Sequence, residues 1–142
     1  MRAQVAYGSD YYQHANKIII RVAMIETKEA VDNLDAILSV PNLTGIYIGP
    51  ADMSSSYGLP PKFDVKEDPV FSNIKMIVKK ARDKGKVAGI HNGSVQYLKE
   101  MIEIGFQFTS LLSDFRIMSS HAESLLKEIK NVDIKSDNTS AY

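Results

Sequence analysis

Residues 18–48, IIIRVAMIETKEAVDNLDAILSVPNLTGIYI, decide how this chain is expected to fold. Residues 18–25 are almost continuously apolar and rich in β-branched side chains, which is typical of a parallel strand buried on both faces. From Thr27, a favourable N-cap residue, apolar side chains recur at helical spacing up to residue 38. A second apolar run, 45–48, follows after a brief connection. The stretch therefore predicts a strand–helix–strand unit.

The same alternation continues along the chain to residue 129. Further helices are predicted at 70–84, 95–103 and 117–129, and further strands at 87–90 and 106–112. Residues 49–69, rich in Gly, Pro and Ser, form one long irregular segment, which is usually functional, disordered or the site of a short helix. Residues 1–130 would then form one domain, followed by a disordered polar tail at 131–142.

Four strand–helix units in series predict an α/β fold, with parallel strands covered by outer helices. Two architectures satisfy this pattern. One is a small doubly wound open sheet, and the other is half of a (β/α)8 barrel, whose complete form needs about 250 residues. Periodicity alone does not separate them.

Composition excludes several classes of function. The 142 residues include 17 basic and 17 acidic side chains, so bulk electrostatics gives no reason to expect a nucleic-acid partner. The absence of cysteine excludes thiolate metal sites and cysteine nucleophiles and suits a reducing compartment. No apolar run approaches the roughly 20 residues that span a bilayer, and the first residues lack the apolar segment of a signal peptide. We therefore expect a cytoplasmic protein without a membrane partner.

Two carboxylates stand out because each follows a predicted strand. Glu26 comes directly after the first strand and Asp52 shortly after the second. Carboxyl ends of adjacent parallel strands meet at one edge, so these side chains can converge on one divalent cation. The alternative is that both are ordinary acidic residues near helix N-termini. His91, at the end of the third predicted strand, is interpreted as a loop residue with a satisfied hydrogen bond.

Two longer motifs contain these carboxylates: IETKEAVDNL at 25–34 and GIYIGPADMS at 45–54. With the spacing between them, they make the chain resemble, from Arg2 to about Lys127, the C-terminal half of the HpcH/HpaI-type aldolases. These are metal-dependent pyruvate aldolases, and they include 4-hydroxy-2-oxoheptanedioate aldolase and 2-dehydro-3-deoxyglucarate aldolase.

The resemblance implies four βα units of a (β/α)8 TIM barrel and a divalent cation such as Mg, Mn or Co. It implies that Glu26 and Asp52 are the metal ligands and that the small 2-oxo acid pyruvate is bound beside them. Substrate contacts are expected from Ala51, with Gly49 behind it, and from Asp52. Met24 stands where many members have a substrate-binding Gln, so substrate binding is expected to differ here.

The same resemblance places the general-base His, its Asp partner and the substrate Arg in the N-terminal half of the barrel. No segment of this chain matches those motifs, so no catalytic residue is expected in it and the chain alone should be nearly inactive. The alternatives are a CoA-ester lyase of the citrate lyase β-subunit type and an inactive half-barrel interaction module. The open sheet edges of a half barrel also predict a homo-oligomer.

Overall fold

The computed structural model describes residues 2–130, which fall into two compact units, one ending at Leu111 and one beginning at Leu112. The elements of the first unit are α1 (Arg2–Tyr7), α2 (Tyr11–Ile18), β1 (Val22–Ile25), α3 (Lys28–Asp32), α4 (Leu34–Leu38), β2 (Gly45–Ile48), α5 (Pro50–Ser56), α6 (Val70–Asp83), β3 (Val87–Asn92), α7 (Val95–Ile104) and β4 (Phe108–Leu111). The second unit contains α8 (Asp114–Lys130). The predicted tail at 131–142 lies outside the described residues. Within residues 2–130, none of the helices combines the length and apolar character needed to cross a membrane.

The four strands form one parallel sheet in the order β1-β2-β3-β4. Each strand therefore lies beside the strand that precedes it in the chain, whereas a doubly wound sheet reverses its order at a switch point. Successive order is the arrangement found in a (β/α)8 barrel, and four strands make half of one. The topology thus separates the two architectures that the periodicity left open.

The core lies between one face of this sheet and the helices. Alternate residues of each strand point to that face, as the period of two requires; Ile25, Ile48 and Ile90 are aligned neighbours and all are fully buried. The opposite face, called the inner face below, carries Val22, Met24, Tyr47, Val87 and Phe108. Its apolar side chains at the two edge strands are about half exposed: 41% for Val22, 50% for Met24 and 52% for Phe108.

The prediction for the first strand is wrong in two respects. β1 begins at Val22 because residues 11–18 form α2, and the isoleucines at 18–20 are exposed rather than buried. β1 is also an edge strand, which among the described residues pairs only with β2, and Val22 and Met24 on its inner face are exposed rather than buried.

Other predicted elements are confirmed with adjusted bounds. Thr27 caps α3, its Oγ1 accepting a hydrogen bond from the Ala30 N–H at 3.1 Å. The helix predicted at 27–38 is broken at Asn33 into α3 and α4. The irregular segment at 49–69 contains a short helix, α5, and the third strand extends to Asn92.

Candidate active site

The site predicted from the carboxylates lies at the carboxyl edge of the sheet. Ile25 and Ile48, the last residues of β1 and β2, are paired, and Glu26 and Gly49 follow them directly. Asp52 stands in the first turn of α5, of which Gly49 is the N-cap. The fold thus brings Glu26 and Asp52 to the same edge, one from a strand end and the other from a helix start.

Gly49 shows how close the two carboxylates come. A Cβ built on Gly49 would lie 3.0 Å from Glu26 Oε2 and 3.6 Å from Asp52 Oδ2. Both oxygens therefore face one small space beside the Gly49 backbone. Divalent cations bind oxygen ligands at about 2.0–2.6 Å, so modest side-chain movement is sufficient for both oxygens to reach one ion. A side chain at position 49 would enter this space.

Electrostatics at this edge also fits a cation. Glu26 is half-buried and Asp52 exposed, and in the described part of the chain neither carboxylate joins an ion pair. Two negative groups that share one space repel each other, and a cation between them replaces repulsion with attraction. Residues 2–130 contain no group of three or more His, Cys, Asp or Glu side chains that could hold a metal. Two carboxylates suit Mg²⁺, which usually keeps several waters and takes only one or two protein carboxylates.

The start of α5 supplies backbone donors next to these carboxylates. Its first backbone hydrogen bond runs from the Met53 N–H to the Gly49 carbonyl at 2.9 Å. The N–H groups of Ala51 and Asp52 precede that bond, and such groups have no intrahelical acceptor. Ala51 is only 6% exposed, and its small side chain leaves the backbone within reach of a bound acid. The geometry is thus compatible with the predicted carboxylate contact.

Hydrogen bonds hold α5 in place relative to Glu26. Ser56 Oγ accepts a bond from the Lys28 N–H at 3.0 Å, so the end of α5 is joined to the start of α3, two residues after Glu26. Ser54, which is 1% exposed, donates its hydroxyl to the Pro50 carbonyl at 2.7 Å. These serines therefore act as structural hydrogen-bonding groups in the helix.

Met24 lies on the inner face two residues before Glu26 and pairs with Tyr47. Its side chain is 50% exposed and offers only a thioether where an amide was expected from the resemblance. A contact between Met24 and the substrate stays a prediction.

A polar cluster on the inner face was missed by the sequence reasoning. Tyr47 on β2 hydrogen-bonds through its hydroxyl to Ser110 Oγ on β4, and His91 Nδ1 lies 2.9 Å from the same Oγ. The Phe63 ring packs edge-on against the His91 ring, with centroids 4.8 Å apart. His91 does have the hydrogen bond that was predicted, but it belongs to β3 and not to a loop. Alternation along the strands would have placed Tyr47 and His91 on one face.

Polar contacts also fix the carboxyl ends of β3 and β4. Asn92 is fully buried and donates from Nδ2 to the carbonyls of Ile90 and Ser110, at 3.1 and 2.8 Å. The Gly93 N–H donates to Asp64 Oδ1 at 2.7 Å, which ties the segment between α5 and α6 to this edge. His91 and Ser110 thus lie beside strand ends that side-chain hydrogen bonds join to each other and to the segment before α6.

A sequence model of the HpcH/HpaI aldolase/citrate lyase family matches residues 1–118. The hydroxypyruvate/pyruvate aldolase of Rhizorhabdus wittichii is 34% identical over 129 residues, which are 91% of this chain and 51% of that protein. The 4-hydroxy-2-oxo-heptane-1,7-dioate aldolase of Shigella flexneri is 32% identical over 94% of this chain and 51% of its own length.

Among solved structures, the HpcH/HpaI aldolase of Desulfitobacterium hafniense superposes with a TM-score of 0.79 at 22% identity. The match covers 92% of this chain and 52% of that one, and it shows the shared fold. The fold is therefore that of an α/β barrel, present here as half of the barrel. The chain belongs to the HpcH/HpaI aldolase/citrate lyase family, and it spans about half the length of the curated relatives it matches.

Proposed function

We propose that this chain is the carboxyl-terminal half of a divalent-cation-dependent aldolase that cleaves 4-hydroxy-2-oxo acids to pyruvate and an aldehyde. The observation that carries the proposal is the convergence of Glu26 Oε2 and Asp52 Oδ2 beside the bare backbone of Gly49. Family membership supports lyase chemistry, and the carboxylate pair supports the use of a hard cation such as Mg²⁺, Mn²⁺ or Co²⁺.

Each residue of the site has a distinct task in this proposal. Glu26 and Asp52 hold the cation, which when bound would polarise the keto group of the acid and stabilise negative charge on its oxygen. The N–H groups of Ala51 and Asp52 bind the substrate carboxylate, because groups in the first turn of a helix favour anions. Gly49 allows the acid to approach the backbone closely.

The reaction needs a base, and the family resemblance implies that this half does not provide it. In retro-aldol cleavage the C4 hydroxyl loses a proton, the C3–C4 bond breaks and C4 leaves as an aldehyde. The bonding electrons form the enolate of pyruvate, which then takes a proton at C3. The family resemblance assigns the base and a substrate-binding Arg to the half of the barrel that precedes these four strands. We therefore propose that the chain binds cation and acid by itself, with turnover far below that of a complete barrel.

A CoA-ester lyase of the citrate lyase β-subunit type is the second candidate, since the name of the matching family includes citrate lyase. The pairing of IET at 25–27 with GPAD at 49–52 favours the aldolase. The two candidates differ in the ligand that the site should bind. If the aldolase assignment is right, pyruvate should bind in the presence of the cation. Tight binding of a CoA thioester without measurable pyruvate binding would favour the lyase.

The proposal is tested first by cation binding. Titration calorimetry with Mn²⁺ should give one site per chain, and Glu26→Gln or Asp52→Asn should weaken it at least about tenfold, equivalent to about 1.4 kcal/mol. Asp32→Asn, an exposed residue of α3, serves as the matched control. Equal affinity in all four proteins would refute the assignment of the ligands.

Catalysis is tested in a second assay. Pyruvate release from 4-hydroxy-2-oxo acids, coupled to lactate dehydrogenase, should be barely detectable at saturating Mg²⁺. Full turnover by this chain alone would mean that the base lies within it.

A further inference from the structure

A basic cleft opens at the edge of the sheet where the strands begin, opposite the edge that carries Glu26 and Asp52. We propose that Arg82, Lys86 and Gln107 form a binding site in this cleft for a phosphate group, either inorganic phosphate or the phosphate of a small organic monoester. The inference is independent of the proposed function, because it uses none of the residues assigned to the cation or to the 2-oxo acid.

The cleft has a volume of about 160 Å³ and is lined by Arg82, Gly85, Lys86, Val87 and Gln107. Val87 begins β3, and Gln107 directly precedes β4, so the cleft lies at the start of these two strands. Pockets for drug-sized ligands measure about 300–1,000 Å³. This cleft therefore suits a smaller group.

Two helix ends meet beside the cleft. α6 ends in a Schellman motif, in which Gly85, with a φ of +65°, donates its N–H to the Arg82 carbonyl and the Lys86 N–H donates to the Ala81 carbonyl, both at 2.9 Å. α7 ends at Gly105, which also has a positive φ, +117°. Because the Ala81 and Arg82 carbonyls already accept backbone N–H groups, they do not compete for the basic side chains at this end of α6.

Arg82 supplies the main anion-binding group. Its side chain lies against the backbone of Gly105, where an added Cβ would collide with Arg82 Nη1. Among residues 2–130, the guanidinium makes no ion pair and its N–H groups have no hydrogen-bond acceptor. A guanidinium presents five N–H donors in a planar fork that matches two oxygens of a phosphate. A bound phosphate would therefore give these donors the acceptors that they lack.

Lys86 and Gln107 add donors to the same cleft. Lys86 is half-buried, and its ammonium donates to the Leu43 carbonyl at 2.7 Å, which fixes the group and leaves two of its three donors. The Gln107 side-chain amide has two N–H donors, and neither has an acceptor within the described part of the chain. Donors are thus contributed from the end of α6, the start of β3 and the start of β4.

The carboxylates close to Arg82 in the sequence and on the neighbouring helix are paired with other cations. Asp83 pairs with Lys79, and Asp35 pairs with Lys80, each at 2.7 Å. None of the five lining residues is acidic, so Arg82 and Lys86 give the cleft two positive charges. A phosphate group carries about −1.5 to −2 charges at pH 7 and matches this charge.

The spread of the donors over three elements favours phosphate over carboxylate. A carboxylate presents two oxygens in one plane, which the Arg82 fork alone can satisfy. A tetrahedral phosphate has further oxygens, which can accept hydrogen bonds from Lys86 and Gln107 as well. We therefore expect phosphate to bind more tightly than acetate.

The test is titration calorimetry on the full chain without divalent cations, at an ionic strength held constant with chloride. Inorganic phosphate should bind at one site per chain, at least about fivefold more tightly than acetate. Arg82→Gln should weaken phosphate binding at least about tenfold, since charge-assisted hydrogen bonds are lost. Arg82→Lys, which keeps the charge but not the fork, should weaken it less. Arg2→Gln, the same substitution on the exposed helix α1, is the matched control.

Glycerol 3-phosphate distinguishes the two sources of the phosphate group. Affinity equal to that of inorganic phosphate would support an organic monoester as the ligand, whereas binding of inorganic phosphate alone would support the free anion. Three results would overturn the inference: no phosphate binding by the unaltered chain, equal phosphate affinity in Arg82→Gln, or acetate binding as tight as phosphate binding.

Backbone ¹H–¹⁵N spectra of the unaltered protein locate the bound anion without any variant. Phosphate should shift the amide signals of Gly85, Lys86 and Gln107 most and leave that of Ala51, at the start of α5, nearly unchanged. Shifts centred on Ala51 would place the anion in the site described above and overturn the inference.

Discussion

At the level of single residues, Gly49 is the position where the smallest change should have the most specific effect. A methyl group there would stand 3.0 Å from Glu26 Oε2, a contact that the flexible end of the Glu26 side chain can relieve by moving away. We therefore expect Gly49→Ala to fold but to lower Mn²⁺ affinity by about tenfold, equivalent to about 1.4 kcal/mol.

Calorimetry measures the affinity of Gly49→Ala, and thermal unfolding monitored by circular dichroism checks its fold. Ser55→Ala, on the exposed side of the same helix, is the control. Unchanged affinity in a folded Gly49→Ala protein would argue against a cation between the two carboxylates.

Tyr97 gives a residue-level prediction about stability and pH. Its hydroxyl donates to the Val65 carbonyl at 2.8 Å, and burial, followed by the negative charges of Asp64, Glu100 and Glu67, raises the pKa of the Tyr97 hydroxyl. A raised pKa in the folded state means that the unfolded chain releases this proton first as pH rises. The related stability is intact below pH about 10 and declines above it.

The corresponding variant is Tyr97→Phe. It should cost about 1–2 kcal/mol at pH 7, because the buried Val65 carbonyl loses its donor, and its stability should fall less steeply above pH 10 than that of the unaltered protein. Urea unfolding at pH 7, 9 and 10.5 measures both effects. If the pH profiles of the two proteins were parallel, folding would not raise the pKa of the Tyr97 hydroxyl.

At the level of elements, the helices and strands that could be predicted are those whose sequence signals lie within the element itself. The strand at 45–48 and the helices α6 and α7 were predicted because their apolar periods and end residues lie within one segment. The start of β1 was not predicted correctly, because three consecutive isoleucines suit a buried strand as well as the exposed end of α2 and the two residues that follow it. Which one forms depends on where the sheet ends, and that is not a local property.

The same distinction applies to the candidate site. The placement of Glu26 and Asp52 at one edge of the sheet could be predicted, since each follows its own strand within a recognisable motif. The contact between Tyr47 and Ser110 joins residues 63 positions apart and depends on the pairing of β2, β3 and β4. No short motif contains that information, so the cluster could be found only in the folded chain.

The cap of α3 provides the prediction that belongs to an element. Thr27 Oγ1 accepts from the Ala30 N–H, and loss of such a cap costs about 0.5–2 kcal/mol. Because Thr27 follows Glu26 directly, fraying of this turn should also loosen the carboxylate. We expect Thr27→Ala to lower both unfolding free energy and Mn²⁺ affinity, and Thr27→Ser, which keeps the hydroxyl, to lower neither substantially. A loss of stability without loss of affinity would show that Glu26 is held independently of the cap.

At the level of the whole molecule, two features favour association of the first unit. β1 and β4 are the edges of the sheet, and edge strands present unpaired N–H and C=O groups that can pair with another chain. The inner face adds exposed apolar side chains at both edges, Val22 and Met24 on β1 and Phe108 on β4. In a (β/α)8 barrel the corresponding face is filled by side chains from all strands.

We therefore predict that this chain is not a stable monomer in solution. Size-exclusion chromatography with light scattering should give masses above the 15.8 kDa of one chain, rising with concentration. Met24→Glu and Phe108→Glu place charges on the inner face and should shift the protein toward the monomer, because burying unpaired charges in an interface is costly. Val5→Glu alters an equally apolar but separate position on α1, 86% exposed, and should have no effect. If the unaltered chain runs as a single 15.8 kDa species at all concentrations, the inner face is stable in water, and association through it is excluded.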